Sequence, residues 1–256
     1  MSVVLLTLQQ MTKEVRRAVV VGASSGIGRE ISRLLAGRGW HTGIMARRGE
    51  LLSELRDMCP ERVTMLTCDV TGDDAADRLL RLVDMMGGID LLVYSSGYGR
   101  HNMALDADME MTTVKTNAEG FTRMVDAAYL YMAGHGGGHI AVISSVAGTR
   151  GLGAAPSYSA TKAFQQTYIQ ALEQQARMRR LPITFTDIRP GFVDTPFMDG
   201  NGRYPMFMDV RRVARSIVRA IEHRRHVCVI DWRYRILVAL WRLIPDCLWR
   251  RMTFLK

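Results

Sequence analysis

The stretch Ala18-Val19-Val20-Val21-Gly22-Ala23-Ser24-Ser25-Gly26-Ile27-Gly28-Arg29 decides the fold of this chain. Its first four residues are apolar and do not alternate with polar ones, as in a strand covered on both faces. Three glycines follow, and then Ile27, Ile31, Leu34 and Leu35 recur at helical spacing. Strand, glycine turn and helix in that order make an anion site. Glycine lets the chain turn sharply and lets its backbone approach a pyrophosphate. The helix N-terminus adds unpaired N–H groups and the positive end of its dipole. Gly22, Ser24, Ser25, Gly26, Ile27 and Gly28 are therefore candidate cofactor contacts. A plain strand-to-helix turn is the alternative, but the place between first strand and first helix favours a nucleotide loop.

Working outward, Leu91–Tyr94, 140–143 and 227–230 repeat the apolar run. His41–Ala46, Val63–Thr67 and 183–188 are weaker strand candidates, which makes seven in all. One helical stripe is Val114, Ala118, Phe121, Val125, Ala128 and Met132, and another is Val210, Val213, Ile217 and Ile221. Each has the spacing of a helix with one buried face. Sustained strand–helix alternation predicts an α/β fold: a doubly wound parallel sheet of about seven strands with helices on both faces. The 256 residues suffice for one such domain and are cramped for two. The glycine cluster at 134–138 reads as a turn before a strand, not a domain boundary.

Apolar residues make up 48% and charged residues 23%, which excludes wholesale disorder. The net charge of +9 sits in the last fifth of the chain. Residues 203–256 hold 13 Arg or Lys against 4 Asp or Glu, whereas residues 1–202 hold 21 of each. Such a tail is either a solvated basic face or a surface for an anionic partner. Cys59, Cys68, Cys228 and Cys247 show no C-x-x-C spacing and no histidine at ligand spacing. They read as thiols of a reducing compartment, and no metal site is expected. The apolar run at 3–8 lacks a basic flank and a small-residue cleavage site, so it does not read as a secretion signal. Met11 is an alternative start. No run reaches the roughly 18 apolar residues of a spanning helix, and a cytoplasmic protein is expected.

After the second strand, where an acid would bind the ribose 2′-hydroxyl of NAD, the chain has Arg47 and Arg48. Guanidinium in place of carboxylate favours a 2′-phosphate, hence NADP(H) over NAD(H). Further on, Tyr158-Ser159-Ala160-Thr161-Lys162 places Tyr and Lys four apart, on one face of a helix. A tyrosine with a pKa near about 10 is a poor acid–base group at neutral pH. A nearby ammonium lowers that pKa. Ser145 closes an apolar strand 13 residues earlier, where doubly wound sheets present ligands.

The G-x-x-x-G-x-G loop, the strand-end serine and the Y-x-x-x-K helix together resemble the short-chain dehydrogenase/reductase family, over roughly residues 16–231. The resemblance implies a Rossmann-type fold and the interconversion of a carbonyl and an alcohol on a small apolar molecule. Ser145 would hydrogen-bond the substrate oxygen and Tyr158 would transfer the proton. Lys162 would hold the nicotinamide ribose and lower the tyrosine pKa. Asn117 matches the family's fourth catalytic residue, which positions a water; bonding to backbone at a helix kink is the structural alternative. Asp69 and Val70 resemble the adenine-contacting pair. Pro190, Gly191, Val193 and Thr195 resemble the segment at the nicotinamide carboxamide, with Asp194 shaping that loop. Gly97 keeps the turn after the fourth strand, but Tyr94-Ser95-Ser96-Gly97 departs from the family's Asn-Asn-Ala-Gly. The resemblance also implies a homodimer or homotetramer built on helices near 106–132 and 157–178.

Residues 192–208 would cover the substrate, with Phe192, Phe197, Met198, Tyr204, Met206, Phe207 and Met208 suggesting a bulky apolar one. The extension 232–256 predicts an extra C-terminal helix. Tyr234, Leu237, Leu240, Trp241, Ile244 and Leu248 form its stripe, flanked by Arg233, Arg242, Arg250 and Arg251. It either packs on its own domain or a partner subunit, closes the substrate pocket, or lies on a membrane surface. No nucleic-acid reading motif is present. A non-catalytic NADP-binding sensor or scaffold is the competing function, against which the intact Ser145, Tyr158 and Lys162 stand.

Overall fold

The structure, a computed structural model, describes residues 15–197 and 206–253. The apolar run at 3–8 and Met11, like Met198 and Tyr204 of the substrate segment, lie outside the described residues.

Seven strands form one sheet: β1 (Arg17–Val21), β2 (His41–Ala46), β3 (Val63–Thr67), β4 (Leu91–Tyr94), β5 (Gly138–Ile143), β6 (Ile183–Arg189) and β7 (Val227–Val229). Their order is β3-β2-β1-β4-β5-β6-β7, and every pairing is parallel. The apolar runs are the strands, as expected. Val19, Val20, Leu92, Val93, Ala141 and Val142 are wholly buried, because helices cover both faces.

The helices are α1 (Gly26–Gly37), α2 (Gly49–Asp57), α3 (Ala75–Met86), α4 (Ala107–Val114), α5 (Gly120–Gly134), α6 (Pro156–Met178), α7 (Val210–Glu222), α8 (Trp232–Leu243) and the short α9 (Asp246–Trp249). One core joins α1, α2, α7 and α8 to the sheet, and the other joins α3, α5 and α6 to its opposite face. Local sequence sets several starts. Asp106, Asp209 and Asp231 cap α4, α7 and α8 by accepting from the backbone N–H of Met109, Arg212 and Arg233. Pro156 opens α6.

Two predicted stripes shift. Phe121, Val125, Ala128 and Met132 are buried as expected, but Val114 is exposed and Ala118 only half-buried. A turn of π-helix at Lys115–Glu119 separates α4 from α5. Its extra residue rotates the face and turns Val114 out, while Asn117 is buried, as its place on the apolar side of that helix predicts. In α8 the buried residues are Tyr234 and Val238, while Leu240 and Leu248 are exposed. The expected single stripe fails at two points: Leu240 lies at its edge and falls on the outer face, and Pro245 breaks the helix and re-aims Leu248 beyond it.

Candidate active site

The strand order reverses between β1 and β4, and a cleft of about 870 Å³ opens there at the strands' C-terminal ends. Gly22 and Gly28 form a close-packed backbone corner beside it. A Cβ on Gly22 would lie 2.6 Å from Ser96 N, and one on Gly28 would lie 2.3 Å from Gly22 O. Gly22 also has φ +88°, a conformation that strains L side chains. The N-terminus of α1 receives no side-chain cap, and its first residues Gly26 and Ile27 line the cleft. Arg48 Nη2 donates to Ser24 Oγ at 2.9 Å and Ser25 Oγ at 2.8 Å. Arg47 lies further out, 74% exposed and 4.0 Å from Asp69. Asp69 Oδ1 accepts from Thr71 N and Thr71 Oγ1, which sets the turn after β3, and Val70 is buried there. An uncapped helix start, a backbone corner closed to any Cβ and a guanidinium beside it fit a dinucleotide.

The Tyr94–Gly97 departure is accommodated locally. Tyr94 is buried and its hydroxyl donates to Thr116 O at 3.3 Å, which ties β4 to the π turn without an amide pair. Gly97 approaches the site closely: a Cβ there would sit 3.6 Å from Lys162 Nζ.

Ser145, Tyr158 and Lys162 line the same cleft. Ser145 Oγ accepts from Ala147 N at 3.1 Å. Lys162 Nζ donates to Ile143 O and to Gln165 Oε1, both at 3.0 Å. It lies 5.8 Å from the centre of the Tyr158 ring. Burial pulls the Lys162 ammonium down to about 8, and the Asp187 carboxylate opposes it. Burial pushes the Tyr158 phenol above its ordinary value, and a hydrogen bond with Ser145 opposes that. Lys162 predicts a lowered tyrosine; in the protein burial sets the direction and the Ser145 hydrogen bond is what opposes it.

Asn117 is fully buried and all its side-chain groups are engaged. Its Oδ1 accepts from Tyr98 N at 2.8 Å. Its Nδ2 donates to Tyr98 O at 2.7 Å and Thr161 Oγ1 at 3.1 Å. Its main-chain carbonyl accepts from Gln165 Nε2 at 2.9 Å. The amide thus clamps the loop after β4 to α6, in line with the structural alternative.

Three residues escape a reading of the sequence. Gln165 bridges the Asn117 carbonyl and the Lys162 ammonium. Gln166 Nε2 donates to Ser145 O at 2.7 Å and so holds the serine's backbone. Both are visible as polar residues three and four positions after Lys162, on its own helix face. The third is Tyr234, whose stripe is apparent but whose contact with Gly191 is not. Pro190, Gly191, Val193 and Thr195 line the cleft beside Gly26. Phe192, Phe197 and Met206 line its outer end with Leu152, Leu237 and Trp241. Met208 turns into the core and Phe207 faces outward, so neither covers the cleft as expected. Among the described residues no cluster suits a metal ion.

Comparison with known proteins accords with this geometry. The short chain dehydrogenase family model matches residues 16–203. The chain belongs to the short-chain dehydrogenase family. An uncharacterized oxidoreductase of Staphylococcus epidermidis is 30% identical over 217 residues, covering 83% of this chain and 93% of that protein. Another, of Myxococcus xanthus, is 30% identical over 238 residues, covering 90% and 93%. Among solved structures, the actinorhodin polyketide ketoreductase with NADPH superposes with a TM-score of 0.74 at 25% identity, over 86% of this chain and 97% of the other. A protein from Sinorhizobium meliloti assigned as a short-chain alcohol dehydrogenase gives 0.76 at 27%, over 86% and 96%. This short-chain dehydrogenase is therefore an oxidoreductase, and its family binds a nicotinamide cofactor and acts on small molecules.

Proposed function

We propose that this enzyme uses NADPH to reduce the carbonyl of a bulky apolar molecule to an alcohol, reversibly. The observation that carries the reading is the convergence of Ser145, Tyr158 and Lys162 on a cleft whose other end holds the glycine corner and Arg48. Gly22, Ser24, Ser25, Gly26, Ile27 and Gly28 would cradle the pyrophosphate, with Asp69, Val70 and Gly97 along the adenosine side. Arg48 would receive the 2′-phosphate, aided by Arg47. Pro190, Gly191, Val193 and Thr195 would seat the nicotinamide, which when bound supplies the hydride.

The chain's own residues supply orientation and the proton. Ser145 holds the carbonyl oxygen. Tyr158 donates its phenolic proton to that oxygen as negative charge develops on it. Lys162 stabilises the phenolate by its charge and holds the ribose hydroxyls. Gln165 fixes the ammonium on one side, and Asn117 fixes Gln165. Phe192, Phe197, Met206, Leu237 and Trp241 exclude water from the far end and select an apolar substrate.

The domain runs from 16 to 231, and the 232–256 extension adds α8 to the cleft wall. Exposed Met111, Val114, Leu130 and Phe164 on α4, α5 and α6 support a homodimer or homotetramer built on those helices. Calorimetric titration with NADPH and NADH tests the cofactor reading. Tight NADPH and weak NADH binding is expected; binding of neither, or no preference, overturns it.

A further inference from the structure

Helix α8 is apolar on two sides. Its inner side carries Tyr234 and Val238 in the core, with Leu237 and Trp241 on the cleft wall. Its outer side carries Trp232, Ile236, Leu240 and Leu243, exposed by 67, 52, 55 and 78%. At helical spacing these four lie on one face, with exposed Ala239 among them. Arg235 and Arg242 border that face on one edge and Arg233 on the other. Beyond Pro245, α9 adds exposed Leu248, followed by exposed Arg250 and Arg251. Five arginines thus surround an apolar face, against two carboxylates, Asp231 and Asp246, of which Asp231 pairs with Arg233. Asp246 is already paired with Arg150.

A solvated helix has no use for four large apolar side chains on its outer face. Its inner residues Tyr234 and Val238 join the core on the α1–α7 side of the sheet and not the one under α5 and α6, which sets α8 apart from the helices of the oligomer surface suggested above. Tryptophan and leucine between rows of arginine suit the boundary of a bilayer, where the ring and aliphatic chains enter the acyl region and guanidinium groups meet lipid phosphates. Each basic residue near an anionic surface strengthens binding by roughly fivefold. No helix among the described residues is long and apolar enough to cross a membrane, so α8 would lie in the plane.

We propose that the outer face of α8 docks on an anionic phospholipid membrane. The inner side of the same helix walls the outer end of the cleft, so docking brings that end of the cleft within one helix of the bilayer. A carbonyl compound dissolved in the lipid then has a short path to Ser145 and Tyr158. This last step rests on the proposed function; docking itself does not.

Vesicle flotation of the full chain tests it, with phosphatidylcholine alone and with phosphatidylglycerol added. Two variants accompany the wild type: Trp232→Ser with Ile236→Ser and Leu243→Ser, and Arg235→Glu with Arg242→Glu. All five positions are at the surface, and circular-dichroism melting checks that both variants fold. Wild type should float with the anionic vesicles and not with neutral ones, and each variant should bind at least about tenfold more weakly. Wild type that floats with neither, or variants that float like wild type, overturn the proposal. So does a wild-type oligomer that the apolar-face variant dissolves, which would give this face to a second copy of the chain. NADPH binding on the same samples separates the two readings. Flotation without NADPH binding leaves docking and removes the NADPH-dependent reading; the converse removes docking alone.

Discussion

The ring of Tyr234 lies directly on Gly191: a Cβ at position 191 would fall 2.0 Å from the tyrosine Cζ. The Tyr234 hydroxyl accepts from Phe192 N at 3.0 Å and donates to Met206 O at 3.3 Å. One side chain from α8 therefore fixes both ends of the segment that carries Val193 and Thr195. Tyr234→Ala should cost about 3 kcal/mol, as for other buried aromatic truncations. Tyr234→Phe should cost about 1 kcal/mol. Urea denaturation measures both. Limited proteolysis should cut the 192–208 segment faster in either variant; an unchanged cleavage rate would count against the clamp.

Arg48 and Arg47 should behave differently. Arg48 is held against Ser24 and Ser25, whereas Arg47 is largely in solvent. Arg48→Ala should weaken NADPH by about tenfold to hundredfold, the worth of a lost charge-assisted bond, and leave NADH nearly unchanged. Arg47→Ala should weaken NADPH by less. Isothermal titration of both variants with both cofactors decides it, and equal losses for NADPH and NADH would refute the 2′-phosphate reading.

Gln165 is expected to act through Lys162. Burial sets that ammonium near 8, so carbonyl reduction should decline as pH rises past about 8. Gln165→Leu removes an acceptor from the charged form and should move the decline to lower pH. Gln165→Glu should move it higher. A merely structural role would lower the rate without moving the limb. Stability offers a second readout. The folded lysine titrates below the unfolded value of 10.5. The unfolded chain therefore binds more protons between about 8 and 10.5, and stability should rise with pH across that window relative to Lys162→Met.

His139 is buried at the start of β5, its Nε2 2.8 Å from Thr186 Oγ1. Burial, with Arg224 adding to it, pulls the imidazole down to about 4 from 6.5. Between those values the unfolded chain binds the proton and the folded one does not. Stability should therefore fall as pH drops from about 6.5 toward 4, and His139→Gln should flatten that part of the curve. Chemical denaturation across that range measures it.

The sheet, its helices and the line from the glycine loop to Tyr158 and Lys162 are legible in the sequence because each rests on local pattern. Unbroken apolar runs mark strands buried on both faces, and Tyr and Lys four apart must share a helix face. The tertiary contacts are not legible. Nothing in the spacing around Asn117 announces a π turn, so periodicity puts Val114 inside, where the structure has it exposed. The grip of Tyr234 on Gly191 joins residues 43 apart in sequence. The outer face of α8, with Trp232, Ile236 and Leu243, goes unread because the stripe from Tyr234 to Trp241 already accounts for the helix's periodicity. The direction of the Tyr158 shift is hidden for a related reason: the helix places the ammonium, but burial depends on everything packed around the ring.

The most direct test of the central claim is NADPH oxidation with a panel of bulky aromatic ketones and quinones, by wild type and Tyr158→Phe, with the NADPH affinity of each measured alongside. The account predicts turnover by the wild type and a loss of at least about a hundredfold in the variant, the scale of one general acid, with NADPH bound equally by both. Near-normal turnover by Tyr158→Phe would contradict it.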